Sequence, residues 1–459
     1  LGATFYFSEK FIKHFDPQRK DYIFIGIVVV GMLFLLRFSL IMAGIIHEAV
    51  FFDLPRSALY YAIPIAGGVM LVRMFLIAEI SLVLAVILSL LAGLTVGSSI
   101  DYTTYCLVSS IAASSAIAKA SSRGSIMKAG LITGGVNAIA VLAIFLIQMS
   151  TTESLFDFSS IGLHLGFALL GGILSSIFVF LATPIIEYFF NYATDIKLME
   201  LANLNHPLLK ELIVRAPGTY HHSHLVGVLA EAAAESIGAN SLLARVGAYY
   251  HDIGKMKKPD YYIENNPASV ARYETMAPNM SALIVSSHVK EGIALAEEHR
   301  LPQKIIDMIP QHHGTKRIGM FFERAKEKAA PGEKIEEKDF CYPGPKPQSQ
   351  EAGILMLADG VEAAVRGMKE KSPTKIQKMV ESIIDKSFAE AQLDECELTL
   401  RDLHEIGKAF TRIATALYHQ RIDYAETKSD STEGPPKTPT SKDAATGTAT
   451  LHKLRFPQG

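Results

Sequence analysis

Six apolar runs crowd the first 190 positions, at about 23–46, 58–75, 78–97, 103–119, 127–148 and 161–189. Each is close to the ~20 residues that an α-helix needs to cross ~30 Å of hydrocarbon. In that solvent the backbone polar groups must be satisfied within the segment, so runs of this kind become membrane-spanning helices. The last run is long enough to continue past the hydrocarbon as a connecting helix. Pro64 and Gly67-Gly68 mark a kink in the second.

Charge sets the orientation. With the first twenty-odd residues inside, the inner segments carry Lys10, Lys13, Arg19, Lys20, Arg73, Lys119, Arg123 and Lys128. The outer ones carry only Arg56, beside Glu48, Asp53, Asp101, Glu153 and Asp157. Lys and Arg favour cytoplasmic loops, so six crossings leave everything after about residue 190 in the cytoplasm. Arg37 lies within a span, where a lone charge is costly; an interhelical contact or snorkelling is expected for it, and likewise for Glu79 and His164. No pair of broken helices suggests a transporter's midplane site.

After about residue 195 charge, His and Pro take over, although the whole chain carries a formal net charge of only -2. That balance excludes the basic excess expected of a nucleic-acid polymer binder. Cys106, Cys341 and Cys396 are far apart, so neither a disulfide framework nor a thiolate metal site is expected, and reduced cytosol fits. The sequence opens on Leu1 without a charged n-region leading into a cleavable core, which reads as a fragment without an intact signal peptide.

The second half shows helical periodicity and no convincing strand, which predicts an all-α domain. In "RAPGTYHHSHLVGVLAEAAAESIG" Thr219 is the expected N-cap and Gly238 the stop. A helix over Ser241–His251 ends at Gly254, and others are predicted near 279–298, 302–312, 351–368, 373–390 and 399–424. From Ala425 the chain is rich in Ser, Thr, Pro and Gly and is expected to be a disordered tail.

Nine of the fifteen histidines fall between His206 and His313. His206, His221, His224 and His299 read as ordinary surface or core residues. The series His222, His251-Asp252, His288, His312-His313, Asp359 does not. Imidazole and carboxylate suit first-row divalent metals, and seven such groups exceed the needs of one ion. Two ions sharing a carboxylate would use them all, with Asp252 as the expected bridge. Asp359 shares a helix face with Glu362 and Arg366, beside the stripe Ile354, Leu355, Ala358, Val361 and Val365, so it faces an interior that demands a counter-charge. A metal pair roughly 3.5–4 Å apart generates hydroxide from a bridging water and stabilises both oxygens of an in-line displacement at phosphorus. Phosphoester hydrolysis is therefore the expected chemistry. No P-loop, dinucleotide-binding glycine motif or serine elbow competes with it.

The words "PGTYHHS", "ARVGAYYHDIGK", "IVSSHVKEG", "QHHGT", "GPKPQ", "DGVEAAVR" and "YHQRI" resemble, in order, those of the seven-transmembrane HD receptors, over residues 1 to about 424. The resemblance implies an extracellular sensor and seven spans before a cytosolic HD phosphohydrolase, with this sequence beginning near the end of the first span. It implies one metal held by His222, His251, Asp252 and Asp359, and a second held by Asp252, His288, His312 and His313. It also implies manganese or iron as the two ions and hydrolysis of the bacterial second messenger cyclic di-AMP to 5'-pApA. Lys255, close behind the His-Asp pair, would meet a phosphate oxygen with a catalytic role beside Asp252, and Arg366 is a second candidate. In the stretch "MKKPDYYIENN", read as a lip over the nucleotide, Tyr262 and Asn265 are expected base contacts, while Lys257 and Lys258 read as a solvated edge. "ENN" stands where the family pattern has ENQ, which bears on substrate rather than metal.

The expected organisation is a cytoplasmic segment (1–21), a six-helix membrane domain (22–190), a linker (191–205), the HD domain (206–424) and the tail (425–459). The partners are the lipid bilayer and cyclic di-AMP, with a homodimer compatible, in a bacterial inner membrane. Cyclic di-GMP hydrolysis is disfavoured, because His312-His313 runs into "GTKRIGMFF" rather than the Gly-Tyr-Pro run of the HD-GYP group. Hydrolysis of dNTPs or guanosine polyphosphates stays open on the ligands alone. A receptor that binds nucleotide without turnover is disfavoured because all seven ligands are present.

Overall fold

The computed structural model describes residues 18–50, 54–118, 120, 122–151, 158–330 and 334–418. Residues 1–17 of the expected cytoplasmic segment and the whole expected tail lie outside these, as do Lys10, Lys13, Asp53, Lys119, Glu153 and Asp157 of the charge argument.

Among the described residues, seven helices form the first half: α1 (Arg19–Ala49), α2 (Arg56–Tyr60), α3 (Ile65–Phe75), α4 (Ala78–Thr95), α5 (Ile100–Ile117), α6 (Arg123–Thr151) and α7 (Phe158–Phe190). The kink expected near Pro64 is the break between α2 and α3, with Pro64 as the N-cap of α3. Among the described residues, five stretches are long and apolar enough to cross a membrane: α1, α2 with α3, α4, α6 and α7. The expected fourth run, α5, has the length but not the composition. It carries Tyr102, Tyr105, Ser109, Ser110 and Ser114 on its buried face. The hydroxyls of Tyr102, Tyr105 and Ser114 find partners inside the bundle, whereas Ser110 Oγ is buried without one among the described residues. Tyr105 Oη donates to the Tyr61 carbonyl at 2.6 Å, and Ser114 Oγ meets Ser81 Oγ at 2.8 Å. A helix enclosed by others tolerates polar groups that lipid would not.

The outer faces of the bundle are apolar. α1 exposes Ile27, Val30, Phe34, Phe38 and Ile41, and α6 and α7 expose Leu131, Ile139 and Leu181. A contiguous surface of this kind is at home in lipid rather than water. Arg37 lies on that outer face, exposed and without an ion pair among the described residues, which leaves snorkelling, of the two arrangements expected for it, as the one compatible with its place. Glu79 sits in the first turn of α4. His164 makes the interhelical contact expected, with Nε2 2.9 Å from Ser57 Oγ.

α6 and α7 approach backbone to backbone. A Cβ placed on Gly172 would lie 2.2 Å from the Gly134 nitrogen and 2.6 Å from the Gly130 carbonyl. Small residues at this spacing permit the close packing that holds helices together where lipid removes the hydrophobic drive.

At one end of the bundle, the start of α1 meets the segment after α7, where Tyr192 Oη donates to Asp21 at 2.5 Å. The start of α6 reaches the same place, Arg123 pairing with Glu200 at 3.2 Å. The segment expected to be a linker contains helix α8 (Asp195–Leu201), started by Thr194, whose hydroxyl accepts from the Lys197 amide at 3.1 Å. Ile196 packs into the membrane bundle, whereas Leu198 and Leu201 belong to the core of the second half. Seven residues are too few to show a period, which is why the sequence reads as a linker.

The second half comprises α9 (Pro207–Arg215), α10 (Pro217–Ile237), α11 (Ser241–Tyr250), α12 (Ser269–Thr275), α13 (Pro278–Glu298), α14 (Gln303–Gln311), α15 (Gly319–Lys328), α16 (Gln350–Gly367), α17 (Pro373–Ala389) and α18 (Leu400–Leu417), with three short 3-10 turns. No strand occurs among the described residues; an isolated bridge joins Arg317 to Cys341. α10 starts two residues before the expected cap, with Pro217 in its first turn, a position that needs no N–H donor. Its C-cap is Gly238, at φ 76°.

Gly172→Leu in the detergent-solubilised chain is expected to cost at least about 3 kcal/mol, by forcing α6 from α7. Gly166, with nothing within 4 Å of a built Cβ, is the matched control. A thermal melt should separate the two leucine variants; equal melting would contradict the packing.

Candidate metal centre

α11 ends at Tyr250, and His251 is its C-cap. Asp252 follows at φ -112° and ψ 14°, leading into the 3-10 turn Ile253–Lys257. This change of backbone turns both adjacent side chains inward. The turn sits directly on α13: a Cβ on Gly254 would lie 1.9 Å from the His288 carbonyl and 2.5 Å from the Gly292 nitrogen. Only glycine allows that approach, which brings Asp252 beside His288.

All seven expected ligands converge here, from α10 (His222), the end of α11 (His251, Asp252), α13 (His288), the end of α14 (His312, His313) and α16 (Asp359). The two oxygens of Asp252 face different neighbours. Oδ1 lies 3.4 Å from His288 Nε2 and 3.7 Å from His312 Nε2. Oδ2 lies 3.2 Å from His251 Nε2 and 3.7 Å from His222 Nε2. Two trios flank it, His222, His251 and Asp359 on one side and His288, His312 and His313 on the other, each with donor atoms within 4.8 Å of one another.

Three imidazoles are held from behind by the carbonyl three residues earlier: His251 Nδ1 from Ala248 at 2.7 Å, His288 Nδ1 from Val285 at 2.6 Å, and His312 Nδ1 from Ile309 at 2.5 Å. A proton on Nδ1 leaves the Nε2 lone pair pointing inward, which is how metal-binding histidines are oriented. His222 is held by Glu362, whose Oε2 accepts from Nδ1 at 2.5 Å. Glu362 in turn takes Tyr418 Oη at 3.0 Å and Arg366 at 3.2 Å.

Four buried atoms, Nε2 of His251, His288 and His312 and Oδ1 of Asp252, have no hydrogen-bond partner. Orphaned polar atoms are expensive to bury, and these four point at a common space. A divalent cation satisfies them all, and the nitrogen and oxygen donor set suits a first-row transition metal. The residues present therefore fit the group.

Electrostatics agree. Burial would raise the Asp252 carboxyl, but His251 and Lys255 outweigh it and hold the group well below the carboxylate range. Burial lowers His288, lowers His312 to about 3, and lowers His313 strongly with His312 beside it, so these three stand neutral and ready to coordinate. His222 differs. Burial opposes its charge, yet hydrogen bonds to Asp359 and Glu362 outweigh that and raise it to about 9.

The expected substrate contacts are engaged by other groups of the protein. Lys255 Nζ is held between Asp252 at 2.7 Å and Glu264 at 2.8 Å; burial opposes its charge, but the two carboxylates outweigh that and keep it protonated. Arg366 lies behind His222, on Glu362, not facing the cluster. Tyr262 is buried, its hydroxyl 3.4 Å from the Ile284 carbonyl and its ring edge-on to His288 at 6.0 Å. Asn265 clamps the start of α10, accepting from the Thr219 amide at 3.1 Å and donating to its hydroxyl at 2.8 Å. Tyr262 and Asn265 thus pack against and brace the site. Lys258 pairs with Glu291 at 3.1 Å, and Lys257 is exposed. His206, His221, His224 and His299 all lie outside the cluster. Tyr342, which no motif reading singled out, stacks on His313 at 4.0 Å.

Residues 1–194 match the family described as a 7TM receptor with intracellular HD hydrolase, and residues 219–364 match the HD domain. The chain belongs to the seven-transmembrane HD receptors. Cyclic-di-AMP phosphodiesterase PgpH of Bacillus subtilis is 34% identical over 92% of this chain and 59% of its own length. PgpH of Listeria monocytogenes is 42% identical over 67% of this chain and 42% of its own. The solved HD domain of L. monocytogenes phosphodiesterase PgpH in complex with cyclic di-AMP is 44% identical, covers 48% of this chain and 100% of that one, and has a TM-score of 0.44. The chain spans about half the length of the curated relatives it matches. As a member of this family it is a multi-pass membrane protein, and its HD domain is a metal-dependent hydrolase fold with candidate metal-binding His/Asp clusters.

Metal uptake near neutral pH is expected to release about one proton per chain, from His222, because His288, His312 and His313 are already neutral. The release should fade above pH about 9, where His222 has already lost its proton. Calorimetry in buffers of different ionisation heat measures it; no release near neutrality would contradict the assignment.

Proposed function

We propose that this chain is a membrane-bound phosphodiesterase that hydrolyses cyclic di-AMP to 5'-pApA with two divalent ions, manganese or iron, at the His/Asp cluster. The observation that carries this reading is Asp252, whose two oxygens face two separate ligand trios. Such a carboxylate suits a pair of ions rather than one. The names of the two curated relatives supply the substrate: both are cyclic-di-AMP phosphodiesterases.

In this reading His222, His251, Asp252 and Asp359 hold one ion, and Asp252, His288, His312 and His313 hold the other. The pair, when bound, supplies the acidity that makes a nucleophile of water and the positive charge that stabilises the phosphoryl oxygens. The chain's own groups prepare that chemistry. Backbone carbonyls fix three imidazoles, Glu362 fixes the fourth, and Lys255 offsets the negative charge of Asp252 and Glu264. The cluster is closed on most sides, His251 and Asp252 being at most 2% exposed, whereas Asp359 and His313 keep 18% and 20% of their side chains open. Substrate enters over Asp359 and His313.

The membrane domain crosses six times when α5 is counted, with Lys20, Arg73 and Arg123 at the end that carries the HD domain, which supports a cytoplasmic HD domain.

The full chain in detergent with Mn²⁺ should turn over cyclic di-AMP and favour it over cyclic di-GMP. Chelation or Asp252→Ala should lower the rate by at least about 10³-fold. Turnover indifferent to both would sink the reading.

A further inference from the structure

Three cationic side chains stand near the cluster, and two are already engaged: Lys255 by Asp252 and Glu264, Arg366 by Glu362. The third is Lys316. It is half-buried, and its ammonium makes no hydrogen bond or ion pair among the described residues. Burial lowers its proton affinity, while Asp359 and Glu390 act in the opposite sense, so it lies within electrostatic reach of the Asp359 carboxylate.

The main chain of Lys316 is fixed to the site. Its amide donates to the His313 carbonyl at 3.1 Å, and its own carbonyl accepts from the Tyr342 amide at 3.0 Å. Tyr342 stacks on the His313 ring at 4.0 Å. One loop frame therefore fixes the main chain of Lys316 beside that of His313, which with Asp359 is one of the two ligands open to solvent. A partly desolvated cation without a partner is costly, and an anion arriving at that edge offsets the cost.

We propose that Lys316, rather than Lys255 or Arg366, binds a non-bridging oxygen of the substrate phosphodiester at the open edge of the cluster. This rests on the reading of the site as a phosphodiesterase. The lysine positions the phosphate; the metal ligands are complete without it.

The test uses the full chain in detergent with Mn²⁺, comparing Lys316→Met, Lys316→Arg and, as a charge control on an exposed face of α17, Lys378→Met. Three readouts are taken: bound metal, calorimetric affinity for a non-hydrolysable phosphorothioate analogue of cyclic di-AMP, and kcat/KM on cyclic di-AMP and on bis(4-nitrophenyl) phosphate. Lys316→Met should keep its metal and lose about 10- to 100-fold in analogue affinity and in kcat/KM, the range expected for one charged hydrogen bond. Lys316→Arg should recover most of the loss, and Lys378→Met should lose nothing. Unchanged affinity in Lys316→Met, or loss of metal from it, overturns the proposal while leaving the phosphodiesterase reading intact. If the unaltered chain hydrolyses bis(4-nitrophenyl) phosphate but not cyclic di-AMP, the substrate reading fails; Lys316 is then judged on the generic diester, where an unchanged rate overturns it. If the unaltered chain acts on neither, both fall.

Discussion

A single buried carboxylate, Asp252, meets inward-pointing imidazoles from three directions, and the second half of the chain is organised around satisfying that arrangement. In the protein alone, the carboxylate is balanced by Lys255, while three imidazole nitrogens and one carboxylate oxygen have nothing to bond. A fold keeps such an arrangement only when a cation resolves it or when surrounding packing holds it in place. Both hold here. The core under the cluster includes Tyr250, Ile253, Ile309, Leu355 and Ala358, all fully buried, and each flanks a ligand in sequence or lies on its helix. Gly254 allows the turn after Asp252 to rest on the backbone of α13.

The same core reaches the membrane domain. Tyr250, next to His251, donates its hydroxyl to the Leu201 carbonyl at 3.0 Å, at the end of α8. The other end of α8 sets Ile196 in the membrane bundle. One short helix thus shares side chains with both cores. Arg300 adds a second link, donating to Tyr188 Oη at 2.9 Å. The two halves are packed together rather than strung on a flexible connector.

Much of this was legible in the sequence. The runs at 23–46 and 127–148 are single helices, and the mixed charge of the second half matches its α-helical core, because a period of 3.6 residues over fifteen or more positions is a strong signal. The histidine and aspartate spacing pointed to one cluster, and all seven side chains are found there. Less legible were features decided by contact. α5 looks like its neighbours in length, yet serines and tyrosines line its buried face. Tyr262, Asn265, Lys255 and Arg366 carry the chemistry of substrate contacts, but each has a nearer partner, in Ile284, Thr219, Glu264 and Glu362 respectively, that only the folded chain brings within reach. Glu362 was visible on the face of Asp359, though nothing in its spacing showed that it would hold His222. Lys316 and Tyr342 lie in loops, where periodicity says nothing.

The central claim is that Asp252 bridges two cations. Anomalous diffraction from crystals of the chain grown with Mn²⁺, recorded at the manganese edge, tests it most directly. Two peaks are expected, one among His222, His251 and Asp359 and the other among His288, His312 and His313, both in contact with Asp252. A single peak, or two peaks of which one does not touch Asp252, would contradict it.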